Sequence, residues 1–224
     1  MSVGSITITL YHNARTGNVD KIAEALEAHP ELIDVPNDEG RTLLSLAVSV
    51  DHVPLVEFLV RLGSKVIDTP NNWDETPMYT AVAFGSLSMA ETLARLGSKA
   101  VDTPDFLGWT PMHAAARNGC VPMIELLIRL GSKSIDALTK NNWTPLTVAA
   151  RRNKIESVKM LRMLGANSDC LISSSFYQEV EAVTRPSEDE TLDARFRVYF
   201  SQSFVLKLLH VLDSEDFIML TKRI

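Results

Sequence analysis

The sequence predicts an all-α protein built from repeated pairs of short helices, with a further helical segment at its C-terminal end. Two sequence markers recur every 34 residues and stay in phase with each other. The first is Arg-Leu-Gly-Ser-Lys, whose glycine is Gly63, Gly97 or Gly131, with a degenerate copy at Gly165. The second is Thr-Pro at 76–77, 110–111 and 144–145, with Thr42-Leu43 as its degenerate partner. A fixed interval shared by two independent markers is the signature of a repeat protein.

The Thr-Pro marker predicts where the first helix of each repeat begins. A threonine side chain can cap free backbone N–H groups, and proline fits the first helical position. In the third copy we expect this helix to begin at Pro111 and to be broken by Gly119, which adopts a left-handed conformation at little cost. The equivalent position holds Gly17, Asp51, Gly85 and Asn153 in the other copies. Asp and Asn are the non-glycine residues that best tolerate positive φ, so their presence at this position supports the alignment of the copies.

The second helix of each repeat is predicted from apolar residues at helical spacing. In the third copy these residues are Met123, Ile124, Leu126, Leu127 and Leu130. Gly131 then closes the helix as a C-cap. The stretch from there to the next Thr-Pro is predicted to be an extended loop or hairpin.

Residues 105–116, Asp-Phe-Leu-Gly-Trp-Thr-Pro-Met-His-Ala-Ala-Ala, carry a more specific pattern. This segment resembles the ankyrin repeat, whose hallmark is Gly-x-Thr-Pro-Leu-His-x-Ala-Ala. The resemblance implies an ankyrin-repeat solenoid of helix-turn-helix repeats with hairpin loops. It implies a capping repeat at residues 1–33 and four repeats of 34 residues at 34–170. Residues 171–224 break the pattern and are expected to form a helical C-terminal extension.

Composition and charge are typical of a soluble globular protein, with 46% hydrophobic residues, 22% charged residues and a net charge of −6. The acidic balance argues against nucleic acid as the main ligand, because phosphate binding usually needs a basic excess. The N-terminus lacks a signal-peptide pattern, and no apolar run approaches the roughly 20 residues that span a bilayer. Cys120 and Cys170 are too few for a disulfide framework. We therefore expect a cytoplasmic or otherwise intracellular protein, with export into a host cell left open.

The sequence offers little support for catalysis. The recurring Gly-Ser-Lys ends a helix, whereas a phosphate-binding P-loop connects a strand to a helix. The histidines show no metal-ligand spacing, and His113 is expected to be a structural hydrogen-bonding residue. We therefore expect no enzyme activity, no cofactor and no metal site.

The expected function is that of a scaffold that binds another protein. The ankyrin resemblance implies binding on the concave face, which is formed by the hairpin tips and the exposed side of the first helices. Carried over position by position, it gives these candidate partner-binding residues: Trp73, Phe84, Phe106, Trp109, Arg117, Trp143, Arg151 and Arg152. Trp and Arg are frequent interface hot spots. For Trp109 and Trp143, packing on the next hairpin is an equal alternative.

Basic residues in the third and fourth repeats predict a partner with an acidic segment, and solvated helix surface is the alternative. These residues are Arg117, Lys140, Arg151, Arg152 and Lys154. A second functional hypothesis is an adaptor or exported effector, in which the repeats bind a target while the C-terminal helices, at residues 176–224, recruit a second protein. The other interpretation of that segment is a helical cap on the last repeat. The sequence does not indicate the oligomeric state.

Overall fold

The structure is a computed structural model, and it describes residues 3–167, with side chains from residue 6 onward. All regular secondary structure in this range is helical, which confirms the predicted all-α class. The helices follow one another in pairs, each a first helix, a tight turn and a second helix. Their bounds are α1 Val3–Thr16, α2 Val19–Ala28, α3 Leu43–Ser49, α4 Val53–Arg61, α5 Pro77–Ala83, α6 Leu87–Arg95, α7 Pro111–Asn118, α8 Val121–Arg129, α9 Pro145–Arg151 and α10 Ile155–Met163. Short 3₁₀ turns occur at Pro30–Leu32 and Ser134–Asp136.

The first helices begin where the Thr-Pro marker predicts. Thr76 Oγ1 accepts a hydrogen bond from the Tyr79 N–H at 3.1 Å, and Thr144 Oγ1 accepts one from the Thr147 N–H at 3.1 Å. These bonds satisfy a backbone donor that has no partner inside the helix. Proline occupies the first helical position after each of these threonines, where no N–H is needed.

Each first helix ends in a left-handed residue, as the sequence alignment predicts. Gly119 has a φ of 76° and follows the last residue of α7. Asp51 and Asn153 have φ values of 56° and 54° at the equivalent position. The backbone therefore keeps one conformation there whether or not glycine is present, so the turn between the paired helices is conserved from copy to copy.

The second helices α4, α6, α8 and α10 each end in a further left-handed residue, which is a glycine in all four. In α8 the C-cap residue is Leu130, and not Gly131 as predicted. Gly131 follows it directly, with a φ of 87°. The Ser132 N–H donates to the Leu127 carbonyl at 3.0 Å, and the Gly131 N–H donates to the Ile128 carbonyl at 2.9 Å. This pair of bonds is the Schellman motif, which satisfies the last carbonyls of the helix.

The Ser and Lys of the Gly-Ser-Lys marker are held by an aspartate at the start of the same 34-residue copy. Ser64 Oγ donates to Asp34 Oδ1 at 2.7 Å, and the Lys65 backbone N–H donates to Asp34 Oδ2 at 3.0 Å. Ser98 and Lys99 make the same two bonds to Asp68, at 2.5 and 2.8 Å. The marker therefore ends a helix, as expected, and ties the end of each helix pair to the loop before that pair.

The chain divides into two compact units, Met1–Leu107 and Gly108–Ile224. In the first unit α1 packs on α3 and α3 packs on α5, while α4 packs on α6. In the described part of the second unit α7 packs on α9 and α8 packs on α10. Within each unit, the neighbouring first helices α3 and α5, or α7 and α9, carry an alanine at the same repeat position, where a small side chain permits close packing. These fully buried residues are Ala47, Ala81, Ala115 and Ala149.

Some of the predicted organisation stays a prediction. The boundaries proposed at residues 33–34 and 170–171 rest on the sequence. The helical extension at 171–224, and with it the adaptor hypothesis, lies outside the residues that the structure describes.

Candidate partner-binding surface

The loops that join one helix pair to the next form tight hairpin tips. In the tip at 71–75, the Asn71 side-chain oxygen accepts hydrogen bonds from the N–H groups of Trp73 and Glu75, at 2.9 and 3.0 Å. The Asn71 N–H donates to the Glu75 carbonyl at 3.0 Å, and Asp74 takes a φ of 59°. Asn37 holds the preceding tip in the same way through the N–H groups of Glu39 and Arg41. An Asn side chain that bonds to the backbone two residues later is a well-known turn former.

Consecutive tips in the first unit are bonded to each other. The Asn72 N–H donates to the Glu39 carbonyl at 3.0 Å, and the Asn72 side-chain amide donates to the Asp38 carbonyl at 2.8 Å. The Phe106 N–H donates to the Trp73 carbonyl at 3.0 Å. The middle tip, which carries Trp73, is therefore bonded to a tip on each side.

The first unit presents three of the predicted aromatic side chains to solvent. Trp73 is 38% exposed, Phe106 is 44% exposed, and both lie on bonded tips. Phe84 is 72% exposed at the C-cap of α5. The guanidinium carbon of Arg41 lies 5.5 Å from the centre of the Trp73 ring, within cation–π range. Arg41 also pairs with Glu39 at 3.3 Å, so its charge is partly neutralised.

The second unit gathers the other five predicted residues around one groove, which we call the Arg-Trp groove. Its volume is about 320 Å³. Its lining residues are Trp109, Arg117, Trp143, Val148, Arg151 and Arg152. The first two come from the tip and first helix of the third copy, and the others from the fourth copy. Residues that are far apart in the sequence thus meet because the same repeat position is used twice.

Each tryptophan of the groove carries an arginine on its ring. The guanidinium carbon of Arg117 lies 5.8 Å from the centre of the Trp109 ring. That of Arg151 lies 4.6 Å from the centre of the Trp143 ring. The two pairs are one repeat apart, since 34 residues separate both the tryptophans and the arginines. The Trp109 and Trp143 rings meet edge to face with 6.5 Å between their centres.

Trp109 and Trp143 also have packing roles. The Trp109 ring lies 5.8 Å from the His113 ring, centre to centre. His113 is fully buried, and its Nδ1 accepts hydrogen bonds from the N–H and the hydroxyl of Thr110. Its proton is therefore on Nε2, which donates to the Trp143 carbonyl at 2.9 Å. The expected structural role of His113 is confirmed. The ring contacts of Trp109 and Trp143 support the interpretation that both tryptophans pack on their neighbours.

The arginines of the groove differ from others in the chain. Arg95 pairs with Glu57, and Arg41 pairs with Glu39. Within residues 6–167, no carboxylate lies within ion-pair distance of Arg117, Arg151 or Arg152. All three are exposed, and their charge is directed to solvent.

Comparison with known proteins decides the family. A model described as ankyrin repeats (3 copies) matches residues 10–105 and 96–171, which together are most of the chain. The chain belongs to the ankyrin-repeat family. No curated protein matches it closely enough to be counted as a relative. Ankyrin repeats generally serve as protein–protein interaction modules and are typically non-enzymatic. The hydrogen-bonded tips and paired helices described above are therefore those of an ankyrin-repeat protein.

Two features of this ankyrin-repeat surface were not predicted from the sequence. The first is Val148, which forms part of the groove wall. It precedes Arg151 and Arg152 by three and four residues, so it shares their side of the helix. The second feature is the position of the Arg41 guanidinium over the Trp73 ring. Helical spacing could have identified Val148. The stacking depends on side-chain rotamers that the sequence does not specify.

The described part of this ankyrin-repeat chain contains no group of three or more His, Cys, Asp or Glu side chains placed to hold a metal ion. None of its helices combines the length and the apolar character needed to cross a bilayer. Cys120 is a free thiol at the N-cap of α8.

Proposed function

We propose that this ankyrin-repeat protein is an intracellular scaffold that binds a partner protein through the hairpin tips and the exposed ends of the first helices. The observation that carries the proposal is the set of exposed aromatic side chains on backbone that is already fixed. Trp73 and Phe106 lie on tips bonded to their neighbours, and Phe84 ends a helix. A contact surface that is ordered before binding loses little conformational entropy when the partner arrives.

The residue types support the same assignment. Trp and Arg are the side chains most often found to carry binding energy at protein interfaces. The first unit offers Trp73, Phe84 and Phe106, and the second unit offers the Arg-Trp groove. The guanidiniums of that groove have no acidic partner among the described residues. We therefore expect the bound protein to present an acidic segment to them.

Photo-crosslinking from the proposed surface tests this directly. Phe84 is replaced by the photoreactive residue p-benzoylphenylalanine, and Ile8 is replaced in a control protein, since both side chains are 72% exposed. We expect illumination in a lysate of the source cells to join a discrete protein to position 84 and not to position 8. Equal crosslinking from both positions would contradict the assigned surface.

Truncation of the surface provides a second test. The triple variant Trp73→Ala, Phe106→Ala and Arg151→Ala should lose capture of the crosslinked protein, since each hot-spot truncation costs about 2 kcal/mol or more. Its melting temperature should stay close to that of the wild type. The control variant Ile8→Ala, Leu62→Ala and Leu138→Ala removes exposed apolar side chains elsewhere and should keep capture intact. Unchanged capture by the first variant would refute the proposal.

A further inference from the structure

We infer that the acidic run at residues 188–190 of this chain occupies the Arg-Trp groove when no partner protein is bound. The run is Glu188-Asp189-Glu190, and it lies outside the described residues, so its sequence and the charge of the groove support the inference. The inference rests on the proposed function, because it names the segment that a partner must displace. The groove then accepts only a ligand that competes with the chain itself.

Positive charge in this acidic protein is concentrated in the part of the chain that forms the groove. Residues 108–167 contain nine Lys and Arg and three Asp and Glu, a net charge of +6, whereas the whole chain carries −6. Arg117, Arg151 and Arg152 line the groove, and no described carboxylate lies within ion-pair distance of them. Such a cluster creates a local positive potential. It therefore attracts acidic segments of this chain as well as those of a partner.

Stacking keeps two of these arginines available for carboxylates. The guanidinium carbon of Arg151 lies 4.6 Å from the centre of the Trp143 ring, and that of Arg117 lies 5.8 Å from the centre of the Trp109 ring. A stacked arginine uses the face of its planar group, so the N–H groups around its edge can still bind a carboxylate. Val148 and the indoles also form an apolar wall. A charge pair beside that wall is partly shielded from water and is strengthened.

The C-terminal part of the chain supplies the opposite charge. Residues 168–224 contain ten Asp and Glu and six Lys and Arg, a net charge of −4. Residues 188–190 are the only three consecutive carboxylates in the sequence. A dense acidic run complements a cluster of three arginines better than scattered carboxylates do, because several favourable charge pairs form at once.

The acidic run is close enough to reach the groove. The described residues end at Asn167, four residues after α10, and α10 packs on α9, which carries Arg151. The 21 residues from there to Glu188 can span up to about 70 Å, whereas a unit of about 60 residues has a radius of gyration of about 10 Å. Attachment to the same chain holds the run at a local concentration on the order of 1 mM. A free segment of equal affinity competes poorly with it.

Intramolecular photo-crosslinking tests where the run binds. The photoreactive residue p-benzoylphenylalanine replaces Thr191, next to the run, in the full chain, and it replaces Thr221 in a control protein. After illumination of the dilute protein and digestion with trypsin, mass spectrometry should find position 191 joined to peptide 100–117 or 141–151. These peptides contain the groove tryptophans, and the crosslinked protein should keep the mass of one chain.

Three crosslinking results would overturn the inference. The first is the absence of groove peptides among the products from position 191. The second is an equal yield of those peptides from position 221. The third is a groove crosslink found only at the mass of two chains, which would assign the occupant to a second copy of the protein.

A peptide tests whether the run competes for the groove. The probe is a fluorescein-labelled peptide with the sequence of residues 184–194, and fluorescence anisotropy measures its affinity for the full chain. The triple variant Glu188→Gln, Asp189→Asn and Glu190→Gln should bind it about tenfold more tightly than the wild type. A competitor at about 1 mM weakens binding by that factor when its own Kd is about 0.1 mM. Addition of Arg151→Gln to this variant should remove the gain.

A matched variant controls for total charge. Asp213→Asn, Glu215→Gln and Asp216→Asn remove three negative charges elsewhere in the C-terminal part, and this protein should bind the peptide as the wild type does. Equal affinity of the wild type and the first variant, the same gain in the control, or no binding to either would overturn the inference. The crosslinking experiment keeps residues 188–190 intact, so it decides the question even if these substitutions disturb folding.

The inference and the proposed function can fail separately. Phe84 lies in the first unit, outside the groove, so crosslinking of a partner from position 84 can succeed although residues 188–190 never enter the groove. In that case the partner surface stands and the intramolecular contact is wrong. Crosslinking that does not distinguish positions 84 and 8 would refute the partner surface, whatever position 191 shows.

Discussion

Ser64 donates its hydroxyl hydrogen to the carboxylate of Asp34, 30 residues earlier, at 2.7 Å. The same bond joins Ser98 to Asp68 at 2.5 Å. In each case the carboxylate also accepts the backbone N–H of the following lysine. These aspartates tie the end of one helix pair to the loop that precedes it, so they should stabilise the fold of each copy.

Removal of such an aspartate should destabilise the protein. We expect Asp68→Ala to lower the free energy of unfolding by about 1–3 kcal/mol, because it leaves the hydroxyl of Ser98 and a backbone N–H without their acceptor. Ser98 is only 5% exposed, so water cannot easily replace the carboxylate. Urea unfolding measures the effect. Asp38→Ala, at an exposed tip position, serves as the control and should change the free energy little, whereas equal losses in both variants would count against this role.

His113 should be among the most sensitive polar positions in the second unit. It is fully buried, and it links Thr110 at the start of α7 to the backbone of Trp143 in the next tip. His113→Ala removes these bonds and leaves a cavity, so the free energy of unfolding should fall by at least about 2 kcal/mol. Thermal and urea unfolding check this. His12→Ala, which alters an exposed residue on α1, should have little effect, and a similar tolerance at His113 would show that the linkage contributes little.

The left-handed turn between paired helices can be tested without steric interference. Gly85 has a φ of 78°, and a Cβ added there meets no atom within 4 Å. Gly85→Ala should therefore cost roughly 1–2 kcal/mol from backbone strain alone. Gly85→Asn should cost clearly less, because Asn tolerates this conformation and occupies it at Asn153 with a φ of 54°. Equal losses for the two substitutions in urea unfolding would show that strain is not the cause.

Glu125 on α8 should make stability depend on pH. Burial raises its pKa above the ordinary value of 4.5, and Arg129 offsets part of that rise. The unfolded chain therefore releases this proton at a lower pH than the folded protein does, so stability falls as the pH rises from 4.5 toward the higher folded pKa. Glu125→Gln removes the penalty. It should raise the melting temperature at neutral pH, and the gain should disappear in acid. A gain that persists below pH 4.5 would have another origin.

The sequence predicts the helices well because their signals are local. Thr76 and Thr144 cap helices through their own side chains, and Asp51 and Asn153 take positive φ, as their residue types indicate. The link from Asp34 to Ser64 was missed, although Asp recurs at 34, 68, 102 and 136 with the same interval as the recognised markers. That signal was present, and a search of every residue type for the 34-residue period would have found it.

The candidate surface was predictable in part. Five of the eight proposed contact residues meet at one groove, because the repeat places positions 109 and 143, and positions 117 and 151, in equivalent surroundings. The sequence could not decide whether Trp109 and Trp143 pack or remain available. In the structure each ring contacts its neighbours and also lines the groove, so the two alternatives are not exclusive. Which side chains stack, and at what separation, depends on rotamers and not on repeat spacing.

For the proposed partner, the arginines that lie over Trp109 and Trp143 determine how binding would respond to solution conditions. A guanidinium keeps its proton at every pH that a cell maintains, so acidification or alkalinisation leaves the charge of these side chains unchanged. Exposed charges are instead screened by dissolved ions over about 8 Å at physiological ionic strength. Changes in occupancy of this site would then follow the salt concentration or chemical modification of the bound protein, such as phosphorylation, and would be indifferent to proton concentration unless the ligand itself titrates.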